Sequence, residues 1–409
     1  MPKLLIIADD LTGAIDTGAQ FAEQQISTLI LPELSKDEEG PFDCEVLVIN
    51  TETRHCTPSN AADAVLCAAA FGQKHGIQHF YKKTDSTLRG NLGAEFQALM
   101  NATREKRLFF VPAFPRLQRV TRKGRQYVNG VELHRSEFGN DPLNPILTSD
   151  ISILLEQQAQ LPTHLLAADP NDVSELTDEG VYIFDCESEA DIRSIAATLH
   201  KVRPLTNLAG SAGFAPSLKD LLQLNASIPK AVLDVAARTL VVNGSLNPVA
   251  RRQLTFAARN GFIITQINPS ELVRDGASGE MARAKITENI LQTMRSEKTV
   301  ILTTDADFCS SDGVTAMLAI ANRVGELASA IVSKAGPLLL IVFGGDTLSS
   351  ITRSLHCKRI IPMAEVLPGI ALSRLETRES RLFVVSKAGG FGAEDILPVI
   401  LESLRRFQQ

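Results

Sequence analysis

Short uninterrupted apolar runs set the rhythm of this chain, each followed by a Gly-, Asp-, Ser- or Thr-rich turn and then a helical pattern. "LLIIADD" at residues 4–10 leads into "TGAIDTGAQFAEQQ", where Ala14, Gly18, Ala22 and Ile26 fall on one helical face. In the first half "EVLVINTETRH", "HFYKKTDSTLRG", "RLFFVPAFP" and "GVYIFDCES" repeat the theme. The second half continues it with "TLVVNGSLNPVARRQL", "TVILTTDADF", "LLLIVFGGDTLSSITRSL" and "RLFVVSKAGGFGAEDILPVILESL". Unbroken apolar runs suit strands covered on both faces, because a parallel sheet carries helices on each side. Their alternation with helices predicts an α/β protein with mainly parallel sheets. Residues 112–145 break the rhythm: rich in Arg, Pro and Gly, they read as a long ordered loop of the kind that usually carries function.

Composition adds the domain count. At 409 residues and 44% hydrophobic, the chain exceeds one typical domain, and two domains of roughly 200 residues are expected. The boundary is placed in "LQLNASIPKAVLDVAARTL", after the helical stretch ending around Leu224 and before a fresh strand at Leu240. This gives domains 1–228 and 229–409. A net charge of −6 creates no global field for nucleic acid or an anionic membrane. No stretch approaches the ~18–20 continuous apolar residues of a membrane span, and no signal-peptide pattern opens the chain. Cys44, Cys56, Cys67, Cys186, Cys309 and Cys357 show neither a CxxC pair nor metal-ligand spacing. They read as free thiols of a reducing compartment, so a cytoplasmic protein is expected.

In open α/β sheets ligands bind beyond the carboxyl ends of the strands, and polar residues cluster there. Asp9 and Asp10 close the first run, Thr51 to Arg54 the second, and Lys82, Lys83, Thr84, Asp85 and Ser86 the third, with Arg89 just beyond. Any one of these is an ordinary cap or surface ion pair. Three such clusters at strand ends describe a site for a polar, anionic substrate, where the planar Arg fork suits a carboxylate.

The second half holds three strand–glycine–helix junctions. Gly244 and Ser245 precede a helix opened by Pro248; Gly344, Gly345, Asp346 and Thr347 stand at a second start; Lys387, Gly389, Gly390 and Gly392 stand at a third. Glycines let backbone N–H groups approach a phosphate, and a helix N-terminus adds partial positive charge. Lys387 is placed to offset phosphate charge, whereas Asp346 repels phosphate unless it holds a metal or a nucleoside hydroxyl. One such junction is an ordinary turn; three in one domain predict a nucleotide site. A Walker-type GxxxxGK[ST], a GxGxxG after a strand, HExxH, GxSxG and the kinase HRD/DFG set are all absent. Adjacent aspartates also differ from those of aspartyl-phosphate phosphatases, which have one residue between them.

"TREKRLFFVPAFPRLQRVTRKGRQ" raises an RNA-binding alternative through Arg104, Lys106, Arg107, Arg116, Arg119, Arg122, Lys123 and Arg125. Its aromatics lie in or beside a buried-looking strand, so platforms for base stacking are missing. A lid over substrate or phosphate fits this stretch better.

Taken in order, "IADDLTGAIDTGAQFA", "KKTDSTLRGN", "PAFP" with the following "YVNGVELH", "DPLNP", "AGSAGFA", "NGSLNP", "GGDT" and "KAGGFG" resemble the four-carbon acid sugar kinase family over essentially the whole chain. The resemblance implies a sugar-acid-binding N-terminal domain, an ATP-binding C-terminal domain, and an active-site cleft between them. Family members phosphorylate threonate, erythronate or 3-oxo-tetronates on the terminal hydroxyl. "DDLTGAIDTG" and "HRSEFGNDPLNP" are most similar to the branch acting on D-threonate, so D-threonate to 4-phospho-D-threonate is expected. D-erythronate or a 3-oxo-tetronate is the alternative acceptor, and a non-catalytic sugar-acid or RNA-binding protein a distant one. By motif, Asp9, Asp10, Arg54, Lys82, Lys83, Thr84 and Asp85 would bind the sugar acid. Ser245, Gly344, Gly345, Asp346, Thr347, Leu348, Gly389 and Gly390 would bind ATP. Arg54 and one of Lys82 or Lys83 would hold the carboxylate, the other lysine the migrating phosphate, and Asp10 or Asp85 would take the hydroxyl proton. Mg²⁺ would bridge the ATP phosphates, its protein ligands unassigned; a homodimer is the common default for such enzymes. Two departures stand out: Gln118 where the family often has Gly before the Arg of "PAFPxxGR", and "KAGGFG" where it tends towards "KSGNFG".

Overall fold

The computed structural model describes residues 1–141, 144–169, 176–233, 238–245, 247–304, 313–377 and 381–407, with backbone alone for 313–318. Pro142 and Leu143 of "DPLNP", Leu246 of "NGSLNP", residues 305–308 of "TVILTTDADF" and Cys309 lie outside the described residues. The chain divides into two compact units, Met1–Pro229 and Lys230–Gln409. Both are α/β.

Unit 1 begins with β1 (Leu4–Ala8), α1 (Leu11–Glu23), β2 (Thr28–Leu31), β3 (Val46–Asn50) and α2 (Pro58–Lys74). It continues with β4 (His79–Lys83), α3 (Leu92–Thr103) and β5 (Arg107–Val111). After a short antiparallel sheet, β6 (Arg119–Arg122), β7 (Arg125–Val128) and β8 (Val131–Glu132), come α4 (Ile151–Ala159) and β9 (Thr163–Leu166). β10 (Gly180–Phe184), α5 (Glu189–Leu199), β11 (Asn207–Gly210) and α6 (Leu218–Leu221) complete it. The main sheet runs β2-β3-β1-β4-β11-β5-β10-β9 with every pairing parallel. All five residues of β1 are buried, as a strand between two helical layers requires. α1 is buried from Leu11 to Ala22, its Ala and Gly positions letting it lie close to the sheet. It stops at Glu23 because the chain turns through Gln25 at φ 62°. Ile26, expected on its face, instead bridges Ala226.

The aperiodic 112–145 stretch is not a plain loop. The β6–β8 sheet and short 3₁₀ turns organise it, and Gln118 sits in the left-handed region at φ 55°. That explains why glycine suits this position in the family pattern.

Unit 2 starts with β12 (Thr239–Asn243), α7 (Pro248–Arg259), β13 (Ile263–Ile267), α8 (Pro269–Leu272) and α9 (Gly276–Ser296). Then come β14 (Thr299–Thr304), α10 (Gly313–Ala335), β15 (Leu339–Phe343) and α11 (Gly345–Ser354). β16 (Arg359–Leu367), β17 (Ile370–Glu376), β18 (Arg381–Lys387) and α12 (Ile396–Ser403) close it. β13-β14-β12-β15-β18 pair in parallel, and β18-β17-β16 continue antiparallel. Its core includes Val241, Ile301, Ile341, Phe343, Leu372, Val385, Leu397 and Ile400. Among the described residues no helix is long and apolar enough to cross a membrane, and Cys44, Cys56, Cys67, Cys186 and Cys357 are free thiols.

Candidate active site

β1 lies between β3 and β4, with Ala8 opposite both Asn50 and Lys83. The three polar clusters of the first half therefore leave the sheet side by side. The backbone locks them together, since the N–H groups of Thr53 and Arg54 donate to the Asp9 carbonyl at 2.9 and 3.2 Å. The Arg54 guanidinium then folds back over the paired aspartates. Its Nε donates to Asp9 Oδ2 at 2.8 Å, and its Nη2 to Asp9 Oδ1 at 3.0 Å and Asp10 Oδ1 at 2.7 Å. Asp10 is also the N-cap of α1, accepting from the Gly13 N–H at 3.0 Å. One cation thus holds two carboxylates at a single strand end. Burial would raise the Asp9 carboxyl, but Arg54, then Lys82 and Lys83, outweigh it and hold it below its ordinary value. Arg54 was expected to meet the substrate carboxylate; two of its three nitrogens are already on Asp9 and Asp10.

Lys82 and Lys83 had equal claim on the substrate, yet side chains alternate across a strand. Lys82 turns inward to Glu95 of α3, Nζ to Oε2 at 3.1 Å, with the side chains 0% and 2% exposed. Glu95 also accepts from the Thr53 hydroxyl at 2.8 Å. Lys82 therefore sits in a buried ion pair, not at a ligand surface. Lys83 turns to the first turn of α1, where a β-carbon on Gly13 would stand 2.5 Å from Asp10 Oδ1 and 2.7 Å from Lys83 Nζ. Its Nζ donates to the Thr84 carbonyl at 2.7 Å, and no ion pair to it stands among the described residues. The Thr84 hydroxyl is buried, with no hydrogen-bond partner among the described residues.

Asp85 is engaged on one oxygen by the Arg89 Nε at 2.6 Å and by the Thr87 hydroxyl. Burial raises its carboxyl, but the charges of Arg89 and Arg54 and these hydrogen bonds prevail and hold it far below its ordinary range. Arg89 extends from Nη1 to Asp141 at 3.1 Å and lies over the Phe138 ring, as does Arg119. The "HRSEFGND" stretch is thereby tied to the strand-end cluster.

In unit 2 the three glycine junctions stand at the ends of the adjacent strands β12, β15 and β18. The Gly244 N–H donates to the Phe343 carbonyl at 3.2 Å, and the Gly344 N–H to the Lys387 carbonyl at 3.0 Å. Gly344 takes φ 114°, a conformation that favours glycine, and caps α11. A β-carbon on Gly389 would overlap the Ser245 hydroxyl. Ser245, Gly344 and Gly389 are thus brought together, with Gly345 and Asp346 opening α11 and Gly390 following in the loop. Thr347 is buried against Gly244. Leu348 packs into the core, its N–H spent on the Gly344 carbonyl at 3.1 Å. The third junction is no direct helix start, because α12 begins only at Ile396. The Lys387 ammonium is buried against carbonyls instead of open to a phosphate.

Sequence reasoning missed Glu95, Asp141 and Gln253. Gln253 had a signal, a polar residue among Ala250 and Ala257 on a buried helical face; Glu95 had none, because only the packing of α3 brings it to Lys82.

Residues 4–218 match a sugar-binding N-terminal domain family and residues 240–397 a nucleotide-binding C-terminal domain family. The chain is similar to a D-threonate kinase of Salmonella typhimurium, 30% identical with 97% of this chain and 96% of the relative covered. A D-threonate kinase of Bordetella bronchiseptica is 28% identical, covering 99% and 98%. A 3-oxo-tetronate kinase of Brucella melitensis is 25% identical, covering 96% and 93%. Among solved structures, a Salmonella typhimurium LT2 chain bearing the name of a tRNA synthase superposes with a TM-score of 0.80 at 23% identity, over 100% of both chains. At that identity the likeness speaks for the fold alone. A Bordetella bronchiseptica structure with bound citrate, a domain-swapped dimer, gives 0.50 at 27%, over 99% of both chains. Two domain families in this order, and relatives aligned along nearly their whole length, show that the chain belongs to the four-carbon acid sugar kinase family.

Proposed function

We propose that the protein transfers the γ-phosphoryl group of ATP to the terminal hydroxyl of D-threonate, giving 4-phospho-D-threonate. The observation that carries this reading is the convergence of Asp9, Asp10, Arg54, Lys83 and Asp85 at three neighbouring strand ends of the sugar-binding unit. D-Threonate is preferred to other four-carbon acids because two of the relatives described bear its name.

Phosphoryl transfer needs mainly positioning and charge neutralisation. Lys83, beside the N-terminus of α1, meets the substrate carboxylate. Arg54 braces the two aspartates so that they face the substrate hydroxyls. Asp10 is the proton acceptor in this reading, because Asp85, held far below its ordinary range by Arg89 and Arg54, is a weak base. In unit 2, Ser245, the Gly344–Thr347 turn and the Gly389–Gly390 loop receive the ATP phosphates. Among the described residues no group of three or more acidic, His or Cys side chains is arranged to hold a metal. Mg²⁺ would be held chiefly by the phosphates and water and would supply charge neutralisation, with Asp346 in the first turn of α11 as its acidic candidate.

Half of the basic residues from Arg104 to Arg125 pair with acids, Lys106 with Glu179, Arg107 with Glu105, Arg122 with Glu187 and Arg125 with Glu132, which favours a small-molecule partner over RNA. The need for ATP favours the cytoplasm. The domain-swapped dimer of the citrate-bound Bordetella bronchiseptica structure supports a homodimer, which light scattering after gel filtration checks. The deciding experiment is an ATP-consumption screen over both threonate enantiomers, D-erythronate and 3-oxo-tetronates. Highest kcat/KM on D-threonate is expected, and no turnover on any of them sinks the reading.

A further inference from the structure

Two buried polar side chains with no part in the proposed chemistry converge on one loop. Lys387, 1% exposed at the end of β18, donates from Nζ to the carbonyls of Ala388 at 2.9 Å, Gly389 at 3.2 Å and Phe391 at 2.9 Å. Gln253, 1% exposed on α7, donates from Nε2 to the carbonyls of Phe391 at 2.9 Å, Gly392 at 2.9 Å and Ala393 at 3.0 Å. The Lys387 ammonium also lies 4.5 Å from the centre of the Phe343 ring, and no ion pair to it stands among the described residues.

An unpaired ammonium in such surroundings is costly, and burial pushes this one down to about 7. It is retained with carbonyl dipoles as its only described polar partners. A planar trans peptide points its C=O and N–H in opposite directions, and among the described residues the cis bonds are Gly40–Pro41 and Arg203–Pro204. Drawing the carbonyls of 388, 389 and 391 towards the lysine therefore turns the N–H groups of Gly389, Gly390 and Gly392 away from it. The one amide in this run whose preceding carbonyl is not gathered, that of Phe391, closes back on Ala388 at 3.1 Å. Successive outward-turned amides can bind an anion, and Gly389 abuts Ser245 of the neighbouring junction.

We propose that Lys387 and Gln253 are positioning residues for the nucleotide, gathering the carbonyls of residues 388–393 so that the Gly389, Gly390 and Gly392 N–H groups are presented to the ATP phosphates. The proposal rests on the reading of unit 2 as the ATP site. It assigns the lysine of "KAGGFG" to the protein's own backbone and not to phosphate.

The test measures ATP affinity by calorimetry on the full chain for wild type, Lys387→Met, Lys387→Arg and Gln253→Met. It is paired with the KM for the sugar acid that wild type turns over and with the urea midpoint of unfolding. Losing hydrogen bonds from a charged donor predicts about tenfold or greater weakening of ATP binding in Lys387→Met. A smaller loss is expected in Gln253→Met, partial recovery in Lys387→Arg, and an unchanged sugar-acid KM in all three. Variants that bind ATP like wild type overturn the proposal. So do variants that lose ATP and sugar-acid binding in parallel with a lowered urea midpoint. Should Lys387→Met not fold, Gln253→Met decides on the same criteria. A wild type that fails to bind ATP overturns the reading of the site itself, a different outcome from variants that match a wild type that does bind.

Discussion

The Lys82 ammonium lies 3.1 Å from the Glu95 carboxylate, with both side chains out of reach of water, while Lys83, one residue on and also buried, turns to the first turn of α1 instead. Adjacent, chemically identical side chains therefore have different tasks. Lys82→Met should lower stability by about 3–5 kcal/mol in urea unfolding, because it leaves a buried carboxylate unpaired; Glu95, whose burial already raises its carboxyl, softens the loss by taking a proton. Lys83→Met should leave the urea midpoint nearly unchanged and raise the KM for the sugar acid about tenfold or more, the loss of a charged contact.

Asp10 and Asp85 are separated by the same reasoning. Asp10→Asn should lower kcat by about 10²–10⁴ if its carboxylate takes the hydroxyl proton. Asp85→Asn should act mainly on KM and on stability, because Asp85 orders Arg89. Near-normal turnover in Asp10→Asn would remove it as the base.

Acid stability follows from the same carboxylates. Asp9 and Asp85 are held below their ordinary value in the folded protein, so below about pH 4 the unfolded chain binds more protons than the folded one. Their stabilisation is complete above that pH and is lost as pH falls further towards the folded values. Glu95, raised by burial, works with the opposite sign just above its ordinary value. Urea unfolding between pH 2.5 and 6 (roughly the window set by these ordinary values) should show a steep acid limb in wild type and a shallower one in Asp85→Asn.

Gln118 tests the cost of a side chain in the left-handed region, at φ 55°. Gln118→Gly relieves a strain of about 1–2 kcal/mol but loosens the unfolded chain by about 0.5–1 kcal/mol, so a small rise in thermal midpoint is expected. Gln118→Val should lower it clearly, because a β-branched residue fits that conformation poorly.

The parallel α/β architecture was legible because its information is local. Runs such as "LLIIADD" and "LLLIVFGGD" carry strand, turn and helix start within a dozen residues, and β1, α1, β15 and α11 form where those runs lie. The polar strand ends were legible for the same reason, since the carboxyl edge of a parallel sheet collects whatever follows each strand. The aperiodic 112–145 stretch was not, because its β6–β8 sheet is held by pairing and by bridges such as Thr121 with Cys186. Nor could spacing divide the labour within a cluster. Which lysine of "KKTD" faces Glu95, and that Arg54 spends two nitrogens on Asp9 and Asp10, depend on how separate segments pack. The sequence by itself determined which chemistry was available at the strand ends. Packing decided which groups remain open to a ligand, because a buried charge must find its partner in three dimensions before it can serve anything else.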